Sequence, residues 1–168
     1  FYLYCLKHYL GAMVKTLPRS IAGGLRYAAG KGNTKMLKEQ LFSFLPNLPD
    51  VDGAVKDFWD ENRQRLAKWY LRQKRSDDVI ISASPEFLLR PVCDELGVRL
   101  IGTRMDKHTG KISGENCHDK EKVRRFYEEF PGACTEEFYS DSLSDTPMAE
   151  IAQRAYIVRK EKLSPWPF

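Results

Sequence analysis

The stretch Val79-Ile80-Ile81-Ser82-Ala83-Ser84-Pro85-Glu86 sets a run of β-branched residues directly ahead of a polar turn. Such a run between polar flanks is the pattern of a strand buried on both faces. Pro85 to Leu96 then reads as a helix, with proline in its first turn and Gly97 just past its end. Further on, Val98 to Ile101 is a strand, Asp106 to Ser113 a hairpin around Thr109-Gly110, and Asp119 to Glu129 a helix. Phe138-Tyr139 ends a strand, Pro147 to Ala152 is a helix, and Tyr156-Ile157-Val158 is a last strand. This alternation predicts an α/β fold with a mainly parallel sheet covered by helices, in which ligands gather where strands end.

Upstream the texture is different. Phe1 to Lys15 reads as one apolar-rich helix stopped before Pro18, Gly23-Gly24 and Gly30-Lys31-Gly32 mark bends, and Thr34 to Leu45 reopens a helix with Thr34 as its N-cap. Val55, Phe58, Trp59, Leu66, Trp69 and Tyr70 recur at helical intervals behind an Asp50 or Asp52 cap. That stripe is expected to form the core of a helical lobe over residues 1–75, with the α/β part over 76–168.

A chain of 168 residues suits one domain, or a core with one inserted lobe. No run of eighteen apolar residues spans a bilayer and Phe1 to Leu10 lacks the form of a signal peptide, so a cytoplasmic protein without a membrane partner is expected. Cys5, Cys93, Cys117 and Cys134 show no ligand or disulfide spacing; Cys117-His118 reads as an ordinary loop or strand-end pair rather than a thiol nucleophile. Net charge is +6 over residues 1–78 and −2 over 79–168. The cations are spread along helical faces without an aromatic stacking motif, which argues against a nucleic-acid partner and for solvated faces that also attract a small anion. Oligomeric state is not legible.

Three groups fall at strand ends or helix starts: Ser82 after Val79-Ile80-Ile81, Lys122 early in its helix, and Asp141 with Asp145 after Phe138-Tyr139. A hydroxyl, an ammonium and two carboxylates holding a hard cation make a site for a phosphoryl group. Taken singly, Ser82 is more often a strand terminus, Lys122 a solvated helix residue and Asp145 the N-cap of the following helix.

In order and spacing these segments resemble the haloacid dehalogenase-like hydrolase superfamily, in its phosphoserine-phosphatase-like branch (subfamily IB). Val79 to Glu86 is similar to that superfamily's second motif, a hydrophobic strand ending in Ser or Thr. Gly114-Glu115-Asn116-Cys117 followed by Lys122-Val123-Arg124-Arg125 resembles the third, with Lys122 as its lysine and Lys120 the less favoured register. Ser140-Asp141-Ser142-Leu143-Ser144-Asp145 is similar to the acidic fourth. The resemblance implies a Rossmann-like core with an inserted helical cap, a Mg²⁺ cofactor, and hydrolysis of a small anionic phosphorylated metabolite through an aspartyl-phosphate. It further implies that Asp141 ligates Mg²⁺ and Asp145 supports the metal directly or through water. Ser82, with Ala83, would bind the phosphate, and Lys122 would stabilise the nucleophile and the transferring charge.

The first motif of that family carries the nucleophile. Asp50-Val51-Asp52-Gly53 matches it only in part, because Pro46 and Pro49 precede it and cannot donate to the ladder of a central strand. Residues 50–53 are therefore expected to be a helix-capping turn. The apolar helix from Phe1 then corresponds to the helix that follows the first motif, placing the nucleophile upstream of Phe1. By itself this chain is expected to expose two strand edges, to fold poorly and to be inactive. Ser140, Ser144 and Ser84 stand where phosphoserine phosphatases usually carry Gly, Asn and Gly, which argues against phosphoserine itself. The alternatives are a non-catalytic phosphate-binding or interaction module of the same fold, and nucleic-acid binding through the basic lobe.

Overall fold

The computed structural model describes residues 1–168. Its first 75 residues hold only helices: α1 (Tyr2–His8), α2 (Leu10–Val14), α3 (Leu17–Ala28), α4 (Thr34–Leu41), α5 (Val51–Asn62) and α6 (Lys68–Gln73). The single helix expected over Phe1 to Lys15 is broken at Tyr9, whose φ of −130° and ψ of 41° leave the helical region. Asn33, not Thr34, caps α4: its side chain accepts from the Met36 N–H at 2.8 Å. Asp50 caps α5 by accepting from Gly53 N–H at 3.0 Å, so residues 50–53 are the expected capping turn.

The aromatic stripe divides at a 3₁₀ turn over Arg63–Arg65. Val55, Phe58 and Trp59 stay in the main cluster with Cys5, Met13 and Phe44. Leu66 packs instead against Val92 and Cys93, and the Trp69 ring lies 5.2 Å from Tyr139. The stripe is thus only partly the core of the helical part. Leu88, Met105 and Ile112 enter the main cluster from the α/β part, which ties the two parts into one apolar body. Phe44 is fully buried at its centre, worth about 2–3 kcal/mol of transfer free energy.

From residue 79 the order is β1 (Val79–Pro85), α7 (Glu86–Leu96), β2 (Arg99–Thr103), α8 (Lys120–Glu129), β3 (Thr135–Ser140), α9 (Thr146–Glu150), β4 (Ala152–Arg159) and β5 (Lys162–Pro165). The fold is mixed α/β with parallel strand pairs and packed helices, consistent with a Rossmann-like core. β1 pairs with β2 in parallel, Val79 opposite Arg99 and, beyond a bulge, Pro85 opposite Thr103. β3 pairs with β4 in parallel, while β5 returns antiparallel along β4. The expected hairpin at 106–113 reduces to one antiparallel bridge, Met105 to Ile112, closed by the Asp106 carboxylate accepting from His108 and Thr109 N–H.

The sheet is not continuous. β1–β2 forms one sheet and β3–β4–β5 another, so β1 and β3 each keep one edge without a strand partner. Val79 and Ile81 of the first sheet nevertheless share an apolar cluster with Phe138 of the second, around Ile101, Phe126 and Met148. No helix is long and apolar enough to cross a membrane.

Candidate functional site

Lys122 sits in the first turn of α8, the amphipathic helix packed against β1, β2 and α9. Its neighbour along the helix, Val123, packs into the cluster with Phe126, and this seats the lysine inward at 7% exposure. The Nζ lies 2.6 Å from Asp145 Oδ1. Asp145 is also buried and its other oxygen, Oδ2, accepts from Ser140 Oγ at 2.7 Å. An ion pair removed from water in this way is sustained by the hydrogen bonds that satisfy its remaining atoms. Asp145 reaches this place because it closes the 3₁₀ turn Leu143–Asp145, opened by Ser142 accepting from Ser144 N–H. The lysine and acidic motifs thus meet directly.

Ser82 and Ala83 lie in the carboxyl half of β1, beyond the expected strand end at Ile81. Ser82 Oγ accepts from Ser84 N–H at 3.1 Å, a local turn that fixes the hydroxyl. The Ala83 carbonyl accepts from Thr103 Oγ at 2.6 Å and from Lys38 Nζ. Lys38 also donates to Asn116 Oδ1 and feels the charge of Lys122. Lys38, a residue that the sequence gives no reason to select, therefore bonds the Ala83 carbonyl while lying within the electrostatic reach of Lys122, whereas Ser82 makes its own bond only to Ser84 N–H. Asp141 stands exposed at the start of the acidic loop.

Lys38 comes from α4, which is moored along its length to residues 111–117. Asn116 Nδ2 donates to Thr34 Oγ at 3.2 Å, Lys35 Nζ to Gly114 O at 2.5 Å, and Ile112 N–H to Glu39 Oε1 at 2.9 Å. Lys38 is desolvated, which with repulsion from Lys122 brings its pKa down to about 8 despite an opposing influence of Cys117. Burial pushes the Cys117 thiol up to about 11, so it is a packed thiol and not a poised nucleophile. Arg125, 2% exposed, belongs to the framework: it donates to Gly102 O at 3.0 Å and to Glu86 Oε1 at 3.1 Å.

A hard cation needs several oxygen ligands. Asp141 offers an exposed carboxylate, whereas both Asp145 oxygens are already engaged by Lys122 and Ser140. No group of three or more His, Cys, Asp or Glu side chains is gathered for a metal. The acidic loop thus suits one direct ligand, Asp141, with Asp145 behind it, and the rest of a coordination shell would come from water, substrate or another carboxylate.

Comparison with known proteins bears on the fold and the family. A structure of a Bordetella pertussis Tohama I protein of unknown function superposes with a TM-score of 0.68 at 21% identity, covering 92% of this chain and 78% of that one, which is a likeness of fold. Protein CicA of Caulobacter vibrioides, in strains NA1000 and CB 15, is 36% identical over 99 residues, 54% of this chain and 45% of CicA. The match thus spans about half the length of these curated relatives. The model of the haloacid dehalogenase-like hydrolases covers residues 6–150, a span that holds β1, the buried Lys122–Asp145 pair and the acidic loop alike. By that measure the chain belongs to the haloacid dehalogenase-like hydrolases.

Proposed function

We propose that this chain carries the phosphoryl-binding half of a Mg²⁺-dependent phosphomonoesterase of the phosphoserine-phosphatase-like branch, with residues 1–75 serving as its helical cap. The observation that supports it most is the buried Lys122–Asp145 pair, made by two segments 23 positions apart and backed by Ser140. Lys122 fixes a positive charge where negative charge develops on the transferring group, Ser82 Oγ donates to a phosphoryl oxygen, and Ala83 N–H supports it. Mg²⁺, held by Asp141 with Asp145 behind it, would supply further neutralisation of phosphoryl oxygen charge. The nucleophile is an aspartate on a strand seated between the unpaired edges of β1 and β3, upstream of Phe1. Its oxygen attacks phosphorus as the bond to the leaving oxygen breaks. A second carboxyl group on that strand protonates the leaving oxygen, and water then releases phosphate.

The test is a phosphomonoester panel on the protein with its upstream residues included. Turnover that depends on Mg²⁺ and is lost in Asp141→Asn supports the reading. Phosphate binding without turnover would instead assign a non-catalytic phosphate-binding module.

A further inference from the structure

Residues 1–38 contain seven Lys or Arg and no Asp or Glu. Six of these cations sit where water can screen them. Lys38 does not: it is partly buried between α4 and the β1 end, and its partners are the neutral acceptors Ala83 O and Asn116 Oδ1. The charged or titratable groups that bear on it are Lys122, which repels it, and Cys117, whose buried thiol stays protonated. Lys122 has its own carboxylate in Asp145, so the excess charge at the junction belongs to Lys38. A desolvated ammonium without a counter-anion is an unfavourable arrangement in the free protein, and an arriving anion relieves it.

Release of Lys38 toward a ligand is also inexpensive. Thr103 Oγ lies 2.6 Å from Ala83 O and 2.9 Å from Asn116 Oδ1, so its one hydroxyl proton can serve either acceptor when the ammonium turns away. Asn116 keeps its contact to Thr34, and Thr103 is fixed in turn by the Cys117 N–H at 3.1 Å.

Resting on the phosphatase reading above, we propose that Lys38 forms a second anion subsite, which binds an oxyanion on the leaving-group side of the substrate while Ser82 and Lys122 hold the transferred phosphoryl group. The substrate class is then a phosphomonoester with a further anionic group, a carboxylate or another phosphate. Lys38 is a specificity-determining residue in this scheme. The experiment compares kcat and KM of the protein with its upstream residues and of its Lys38→Met and Lys38→Arg variants. The substrates are p-nitrophenyl phosphate, phosphoglycolate and an alkanediol bisphosphate. Lys38→Met is expected to lower the preference for the doubly anionic substrates over p-nitrophenyl phosphate by about 10–100-fold, chiefly through KM, with Lys38→Arg recovering part of it. An unchanged preference overturns the proposal, since a purely structural tie between α4 and β1 would depress all substrates alike. Whichever dianion loses more identifies the second group as carboxylate or phosphate. If no phosphomonoester is hydrolysed, the phosphatase reading fails separately, and the subsite is read by acylation of Lys38 at about pH 8, near its titration point. Phosphoglycolate should slow labelling of Lys38 at least threefold relative to inorganic phosphate; equal labelling overturns the subsite.

Discussion

Lys122 and Lys38 are both drawn out of water near the carboxyl end of β1, one from the α/β part and one from the helical part. Lys122 is matched by Asp145, which is itself fixed by Ser140, and the nearby buried Arg125 is matched by Glu86. Lys38 has only a carbonyl and an amide. The α/β part therefore closes its own electrostatics, while the helical part brings an unmatched charge to the junction. A charge neutralised from within positions a site; one left unmatched selects what enters it.

The sharpest way to break this contrast is Asp145→Ala, which strands Lys122 in the interior. Loss of one partner from a buried pair costs about 3–5 kcal/mol, read as a lowered urea midpoint. A cost below about 1 kcal/mol would mean that water already solvates the pair. Next, Asp141→Asn should leave the urea midpoint within about 0.5 kcal/mol of the parent, as for an exposed position, yet reduce Mg²⁺-dependent hydrolysis by about 100-fold or more in the protein carrying its upstream residues. Equal activity would move the metal elsewhere.

The helical side is tested through its moorings. Gly110 adopts φ +70°, and a Cβ there would stand 2.5 Å from the Phe42 carbonyl oxygen. Gly110→Ala should cost about 1–3 kcal/mol and raise proteolytic cleavage in residues 29–48, because the clash falls on backbone that closes α4. Asn33→Ala removes the α4 cap at a cost of about 1 kcal/mol, seen as faster amide exchange at Thr34 to Met36. The smallest effect concerns pH. Since the Lys38 pKa is lowered from 10.5 to about 8, the unfolded chain holds more protons between those values, so stability relative to Lys38→Met rises with pH across that window. Urea midpoints that run parallel for the two proteins would show that Lys38 is fully solvated.

The fold was legible where side-chain pattern and local geometry coincide. The β-branched run at 79–81 located β1, and Gly97 at φ +67° ends α7 as expected. β1 continues to Pro85 because its pairing with β2 runs on to Thr103 past a bulge, a tertiary fact with no local signal. β5 was missed because Lys162-Leu163-Ser164-Pro165 is short and ends in proline; only the turn at Lys160, φ +58°, brings it back along β4. The break at Tyr9 was likewise hidden, because no proline or glycine occupies that position. β1 and β3 do not pair with each other, so each keeps a free edge, in line with the two exposed strand edges expected.

The site was read in the same uneven way. Lys122 and the acidic loop stand out through motif spacing, and the structure buries Lys122 against Asp145. Lys38 carried no such signal. In sequence it is one more lysine on a polar helix, and its role emerges only when α4 docks on residues 111–117.

Those moorings also set an order of assembly. Lys35 meets Gly114, Lys38 meets Asn116 and Glu39 meets Ile112 across separations of 79, 78 and 73 positions. On a ribosome adding about 5–20 residues each second, α4 waits roughly 4–15 s for its partner segment to be made. Through that interval a helix carrying Lys35, Lys38 and Glu39 beside apolar residues is present without its dock. Chaperone capture during synthesis, and sensitivity of yield to translation speed between residues 40 and 117, follow from the distance between these contacts along the chain.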